Sequence, residues 1–483
     1  MSPIGPADRA PAEYQRARRA HWDAAARQLD CWRGLGGDYH RRLGEIYSFL
    51  VAPGQRVLEI GSGEGDLLAA VKPAFGVGVD LSGEMVRRAA RRHPQLRFVQ
   101  GDIHALPLRD TFDVVILSDL VNDLWDVETA FHHLGRVVSA RSRLLLNFYS
   151  RAWEPVLQAA QRARAATPVM LQNWLTVEDV RTLLALADFE VTRAWEEILL
   201  PARLPALARF ANRYLVHVWP FHAAALTHVV VGRPVPAAFD RDGSDPLVSV
   251  IVPARNEAGN IPAIFERTPE MGRGTELVFV EGHSRDDTSA AIAREMKTHP
   301  ERRARLLQQT GRGKGDAVRL GFEQAQGDVL MILDADLTVA PEDLPRFYAA
   351  LRTGKGEFIN GVRLVYPMEK QAMRFLNLVG NKFFSLAFSW LLGQSIKDTL
   401  CGTKVLWKAD YERIAAQRSF FGDFDPFGDF DLLFGAAKLN LKIIDLPVRY
   451  RERTYGTTNI DRWSHGLLLL RMVSFAARRI KFV

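Results

Sequence analysis

The sequence predicts two α/β domains in tandem, each built on a doubly wound sheet. Three observations carry this prediction. Strand-length apolar runs alternate with helical patterns over residues 56–149 and again from residue 247 onward. A segment rich in Pro, Gly and Asp, R-P-V-P-A-A-F-D-R-D-G-S-D-P (233–246), separates the two series. The chain of 483 residues is also longer than one hydrophobic core serves.

Taken in order, the first series offers the strands R-V-L-E-I, F-G-V-G-V-D, R-F-V-Q, F-D-V-V-I-L-S and R-L-L-L-N-F-Y. A helical stretch from Thr176, then D-F-E-V-T and T-H-V-V-V-G-R, complete it. The second series opens with L-V-S-V-I-V-P and continues through E-L-V-F-V, D-V-L-M-I-L-D and K-I-I-D-L-P-V-R-Y. The expected division is a first domain over 1–235, a linker over 236–246, a second domain over 247–460, and a basic amphipathic helix over 461–483.

Composition narrows the class. With 47% hydrophobic and 25% charged residues the chain matches ordinary globular proteins, which argues against disorder and fibrous repeats. A net charge of +7 favours anionic partners such as nucleotides, lipid phosphates or a membrane surface. Nucleic acid is not expected as a partner, because no zinc-ligand spacing, recognition helix or aromatic RNA-binding motif accompanies that charge. Cys31 and Cys401 fall in different predicted domains, so no disulfide framework is expected. The N-terminus lacks an apolar signal region, and the longest apolar run, 383–392, is interrupted by Ser385 and Ser389 and is shorter than the roughly 20 residues that cross a bilayer. The sequence therefore predicts cytoplasmic residence, with peripheral contact at the inner face of the cell membrane as the open addition.

In V-L-E-I-G-S-G-E-G-D (57–66) an apolar strand runs into Gly61, Gly63 and Gly65, where the chain turns sharply and a ligand can approach the backbone. Asp80 ends the next strand, about 20 residues on, where a carboxylate accepts from both hydroxyls of a ribose. Asp102, in Q-G-D-I-H, ends the third strand, beside a backbone amide suited to an adenine edge. With V-G-V-D-L-S, G-D-I-H-A-L-P-L and F-D-V-V-I-L-S-D in the same order, residues 40–235 resemble a class I S-adenosylmethionine-dependent methyltransferase. That resemblance implies S-adenosylmethionine as cofactor, Glu59 beside its amino acid part, Asp80 on the ribose, and Leu81, Asp102 and Ile103 around the adenosine. A dinucleotide-binding oxidoreductase is the alternative, but its loop reads G-x-G-x-x-G, whereas this one reads G-x-G-x-G. On the acceptor side, Asn122, Asp123 and His132 either orient a hydroxyl or are ordinary polar loop residues. No methylation base is assigned, since alignment supplies much of the rate of an in-line displacement.

In the second half, L-M-I-L-D-A-D-L-T ends an apolar strand in Asp334 and Asp336, a spacing that holds a divalent cation against a diphosphate leaving group. Pro253 ends the first strand with Asn256 and Glu257 after it, and Glu281, Ser284 and Asp286 follow the second; both groups lie where open sheets bind ligands. These motifs resemble family 2 glycosyltransferases, and within them the polyprenyl-phosphate enzymes of the dolichyl-phosphate mannose synthase type, over residues 246–460. The resemblance implies a nucleotide-diphospho-sugar donor, Mg²⁺ or Mn²⁺ on Asp334 and Asp336, and a lipid-phosphate acceptor. It further implies that Lys314 in G-R-G-K-G-D, Arg363 in I-N-G-V-R-L and Arg453 in R-E-R-T-Y-G-T-T-N meet phosphates, a task suited to a planar, permanently charged fork in the two arginines. Two departures stand out. E-G-H-S replaces the relatives' D-D-G-S, leaving Glu281 alone to read the base, and Thr338 replaces their Gln after the metal motif. Asp429 and Asp431, in D-P-F-G-D-F-D, either serve as general base for a hydroxyl acceptor or cap the following helix.

The expected activity is a bifunctional transferase. The alternatives are a glycosyltransferase with a non-catalytic cofactor-binding module, and a nucleic-acid methyltransferase with a structural partner domain. The helix over 461–483 and the apolar segment over 372–392 are the expected lipid contacts.

Overall fold

The computed structural model describes residues 6–28, 37–162, 170, 172–201, 205–236, 245–363, 375–418, 430–450, 455 and 462–483. The chain divides into two compact units, Met1–Phe239 with Phe482–Val483, and Asp240–Lys481. The residues at the C-terminal end thus belong partly to the first unit, and the division falls inside the Pro- and Asp-rich segment.

The first unit holds seven strands, β1 (Arg56–Ile60), β2 (Phe75–Asp80), β3 (Arg97–Gln100), β4 (Phe112–Ser118), β5 (Val138–Tyr149), β6 (Phe189–Glu197) and β7 (Thr227–Pro234), in the order β3-β2-β1-β4-β5-β7-β6. The strands over 56–149 pair in parallel; β7 alone runs against its neighbours β5 and β6. Central strands such as β1 and β4 carry Val, Leu and Ile on both faces because helices cover both sides of a parallel sheet. Leu58, Val77, Val115, Phe131, Leu146, Phe148 and Val230 form the shared core. Local signals fix helix starts. Ser82 accepts from the Met85 amide ahead of the helix Gly83–Arg92, and Thr176 and Asp179 form a reciprocal capping box on the helix Val177–Leu186.

The second unit repeats the plan with β8 (Val248–Ala254), β9 (Thr275–Glu281), β10 (Arg303–Gln308), β11 (Val329–Ile332), β12 (Phe358–Val362), β13 (Lys404–Trp407) and β14 (Ile443–Pro447), in the order β10-β9-β8-β11-β13-β12-β14. Here β13 is the reversed strand, paired antiparallel with β11 and β12. Its amino end therefore lies on the same edge as the carboxyl ends of β8, β9, β11 and β12. Val250, Val252, Phe265, Phe279, Met331, Leu333 and Phe347 fill the core.

Between the parallel neighbours β1 and β4, and again between β8 and β11, the strand order reverses, which marks the crevice where such sheets bind ligands. The helix Arg462–Ala476 and the turn Ala477–Lys481 bury Leu469, Met472, Ala476 and Ile480, spaced three and four apart, so this face of the described part packs inward, while Leu470 stays exposed.

Candidate functional site

At the β1/β4 reversal the glycine loop folds over the end of β2. Gly61, Gly63 and Gly65 all have positive φ, and a Cβ on Gly65 would lie 2.5 Å from the Phe98 ring, so only glycine fits there. The amides of Gly63 and Ser82 each donate to one oxygen of Asp80, at 2.8 Å, which fixes its carboxylate at the mouth of the crevice. Burial raises Asp80 despite those two donors. Glu59 is 2% exposed and its Oε2 has no hydrogen-bond partner among the described residues. Burial, with the nearby charges of Asp80 and Asp66, pushes it up to about 8. Ser62 Oγ is a second unsatisfied buried atom on the same loop. Asp102 caps the turn Ile103–Ala105 and binds the His104 ring at 2.8 Å; burial works against its charge, but the His104 contacts prevail and hold it below the usual carboxylate range. Ile103 is buried and Leu81 is half-buried.

The acceptor-side candidates separate. Asn122 is fully buried, donating to Asn173 O at 2.7 Å and accepting from the Tyr149 amide, a structural role. Asp123 is clamped by Arg18 and by Trp22 Nε1 at 2.9 Å, both from the helix Pro6–Gln28. His132 is exposed, 3.9 Å from Glu128. The residue that reasoning from sequence passed over is Asp119, one past β4 with φ 53°. Its Oδ1 accepts from Tyr39 Oη at 2.7 Å and Asn147 Nδ2 at 2.6 Å, while Tyr47 Oη donates to Asn147 Oδ1 at 2.7 Å. Burial pushes Asp119 up to about 7, against the pull of those two donors, yet the residue keeps solvent access, as a group on a cleft floor does. Leu120, its neighbour, lies against Gly61.

In the second unit Lys314, the first residue of the helix Lys314–Gln324, pairs with Asp334 Oδ1 at 2.6 Å just past β11. Burial alone would raise Asp334, but Lys314, Lys404 and Arg363 outweigh it and hold the carboxyl low. The backbone of Gly402 rests directly on this pair, and a Cβ there would collide with Asp334 and Lys314. Asp336 accepts from the Thr338 amide at 3.1 Å and hydroxyl at 2.8 Å, so the Thr338 hydroxyl orients a carboxylate. Among the described residues no three His, Cys, Asp or Glu side chains are grouped to hold a metal.

Arg363, expected to meet phosphate, directs Nε and Nη2 to the two oxygens of fully buried Asp398, at 2.7 and 2.9 Å. It thereby positions the segment that carries Gly402 and the buried Lys404. The loops after β8 and β9 are laced together: Asn256, at φ 59°, donates its amide to Ser284 Oγ and accepts from the Arg285 amide, and Asp286 accepts from the amides of Ala258 and Thr288. Glu281 accepts from the Ser284 amide, Glu257 from Asn260 Nδ2 at 2.8 Å, and half-buried Pro253 lies in β8. Tyr455 covers Gly259 beside Asp286. Asp431 lies in the first turn of the helix Phe430–Lys438, 3.5 Å from Arg319. Asp429 and Arg453 lie outside the described residues.

Residues 57–141 match the model of a methyltransferase domain, and residues 249–412 match glycosyl transferase family 2. The chain carries a methyltransferase domain followed by a family 2 glycosyltransferase domain. Both matched families are families of transferases. An undecaprenyl-phosphate 4-deoxy-4-formamido-L-arabinose transferase of Pectobacterium carotovorum is 38% identical over 110 residues, which is 21% of this chain and 33% of the relative. Glycosyltransferase AglJ of Haloferax volcanii is 29% identical over 216 residues, 44% of this chain and 66% of the relative. The chain thus spans a third of the length of the first and just under two thirds of the second. Among solved structures, a magnesium protoporphyrin IX methyltransferase of Synechocystis covers 46% of this chain and 99% of its own at 16% identity and TM-score 0.34. An S-adenosylmethionine-dependent methyltransferase of Mesorhizobium loti covers 41% and 100% at 18% identity and TM-score 0.32.

In the methyltransferase domain the signal that points to the Asp119 cluster is the lone polar Asn147 at the end of the apolar run R-L-L-L-N-F-Y. In the glycosyltransferase domain the matching signal is C-G-T-K, a glycine and a lysine entering a buried strand.

Proposed function

We propose that the chain is a bifunctional enzyme that transfers a sugar from a nucleotide-diphospho-sugar to a polyprenyl phosphate with inversion, and methylates a hydroxyl acceptor from S-adenosylmethionine. The observation that carries the glycosyl reading is the Lys314–Asp334 pair under Gly402 at the β8/β11 reversal, with Asp336 two residues on. Mg²⁺ commonly takes one or two carboxylates and completes its shell with substrate phosphates and water, so Asp334 and Asp336 suffice as its protein ligands. Held there, Mg²⁺ or Mn²⁺ supplies charge to the departing nucleotide diphosphate. Lys314 adds a cation to the same phosphates, and the Asn256 and Asp286 loops frame the nucleoside. A polyprenyl phosphate is already ionised and needs no base. The undecaprenyl-phosphate relative supports that acceptor. So does the helix Phe375–Leu392, which leaves Phe383, Leu386 and Trp390 exposed at a spacing of three and four. Peripheral attachment at the inner face of the membrane follows from this reading; no helix among the described residues is long and apolar enough to cross one.

For the methyl reading, S-adenosylmethionine fits the first crevice because Glu59 offers an unsatisfied buried acceptor where an ammonium would sit, with Asp80 for the ribose and Asp102 and Ile103 for the adenine. When bound it supplies an electrophilic methyl group. Glu59 would hold and orient it, and Asp119, braced by Tyr39 and Asn147, would take the proton of the acceptor hydroxyl as the O–C bond forms and the methyl–sulfur bond breaks, the neutral thioether being the leaving group.

The test is a screen of radiolabelled nucleotide sugars with membrane lipid extract and Mg²⁺ or Mn²⁺. With one sugar, label enters the organic phase, and Asp336→Ala lowers the rate about 10³-fold, the cost of losing a principal electrostatic stabiliser. Label that stays in water with every sugar overturns the lipid-phosphate acceptor; donor that binds tightly without turnover assigns the domain to ligand binding.

A further inference from the structure

The helix Pro205–Arg213 in the methyltransferase unit is amphipathic in an unusual sense. Ala208, Ala211 and Asn212 face inward and are buried, while Leu207, Phe210 and Tyr214, three and four residues apart, form an apolar stripe that faces out. The stripe continues through Val218, Trp219 and Phe221. Trp219 is 79% exposed, and Leu207, Phe210, Val218 and Phe221 are each between 43 and 56% exposed. Phe482, in the same unit, covers the inner edge by contacting the Tyr214 ring at 5.2 Å, so the open part is the outer one. At 100° per residue, Arg209 and Arg213 project beside the apolar stripe on the solvent side, and both are exposed. No Asp or Glu occurs between residues 198 and 239.

Scattered single apolar residues on a surface need no explanation, but six in one stretch do. The chemistry around them selects the occupant. Trp, Tyr and Phe beside arginines, with no carboxylate to be repelled, match the boundary between acyl chains and anionic headgroups. We propose that residues 205–224 form a membrane-docking surface of the methyltransferase unit, inserting Leu207, Phe210, Trp219 and Phe221 among acyl chains while Arg209 and Arg213 meet anionic lipid headgroups. The proposal is separate from the apolar stripe on the helix Phe375–Leu392, and it depends on neither catalytic reading.

The test uses the full chain in sedimentation with unilamellar vesicles of phosphatidylcholine, with and without phosphatidylglycerol, and no donor or cofactor, so that failure of either catalytic reading leaves the result intact. The wild type partitions onto phosphatidylglycerol-containing vesicles, more weakly at high salt. Trp219→Ser with Phe221→Ser lowers the partition coefficient about tenfold or more, as loss of two buried aromatic anchors requires. Leu207→Ser with Phe210→Ser does the same, and Arg209→Glu lowers it on phosphatidylglycerol vesicles only. These side chains are exposed, so circular dichroism melting stays unchanged and separates docking from folding. Equal partition of wild type and both paired variants overturns the proposal. So does a wild type that stays in the supernatant, or a dimer in vesicle-free solution that the paired variants dissociate, which would make a second copy the occupant.

Discussion

The two units share a sheet plan and a binding edge but treat charge in opposite ways. In the methyltransferase unit Glu59, Asp80 and Asp119 gather at the strand ends with no cation bound to any of them among the described residues, and burial raises all three. In the glycosyltransferase unit Asp398 is fully buried and Asp334 half-buried, but Lys314 and Arg363 pair with Asp334 and Asp398 and hold both carboxyls low, with Lys404 buried close by. The difference teaches what each edge is built to receive. Under the proposed reading, a cationic sulfonium donor is drawn to carboxylates left without a paired cation, whereas an anionic diphosphate needs cations already assembled. One sheet plan serves both because the strands set only where side chains converge, not their sign.

The largest expected effect tests the paired side. Arg363→Leu leaves Asp398 buried without its fork, and breaking a buried pair from one side costs about 3–5 kcal/mol. Chemical denaturation of the variant lowers the stability of the second unit by that order and, because the Gly402 segment is no longer positioned, glycosyl transfer falls with it; unchanged stability would show that the pair does not hold this edge. Next is Asp119→Asn, which keeps the contact to Tyr39 but removes the proton acceptor. Methyl transfer drops about 10²-fold, the lower end of what general-base catalysis contributes, and the limb of the pH–rate profile near 7 disappears. A variant that keeps both rate and limb would return Asp119 to a structural role.

Why some of this could be read from the sequence and some could not follows from the range of the forces. The strands announce themselves as apolar runs because parallel sheets are buried on both faces, and Glu59, Asp80, Asp334 and Asp336 are visible because a polar residue at the end of such a run has few other reasons to be there. Asp119 ends a run equally plainly, but its partner Tyr39 lies 80 residues upstream, in the helix Gly37–Leu50, and only tertiary folding joins them. The sequence suggests phosphate as the partner of Arg363, and nothing local reveals that its fork is committed to Asp398, 35 positions on. Lys404 gives even less warning, since a lysine opening a strand is ordinarily solvated, and here it is fully buried. The outward apolar stripe at Leu207 and Phe210 was hidden by periodicity itself, because spacing shows that a helix has faces but not which one the core takes.

The smallest effect gives the finest test of the comparison. Glu59 holds its proton up to about pH 8 in the fold but releases it near 4.5 in the unfolded chain. Between those values the folded state binds more protons than the unfolded state, so the stability of the ligand-free methyltransferase unit falls as pH rises from 4.5 to about 8, then levels off. Cofactor affinity runs the other way, because an ammonium and a sulfonium favour the ionised carboxylate, and it climbs through the same window. Glu59→Gln removes its share of both slopes: melting temperature falls less steeply with pH, keeping the part that Asp119 and Asp80 contribute, and is no lower than wild type at pH 8, while S-adenosylmethionine binding measured calorimetrically weakens by up to about tenfold and depends less on pH. The binding edge of the glycosyltransferase unit, where Asp334 and Asp398 are already paired with cations, shows no such trade. If Glu59→Gln destabilised the ligand-free unit at pH 8, the carboxylate would be held in the fold by more than the Leu68 amide, and the contrast between an open acidic edge and a compensated one would fail at its first residue.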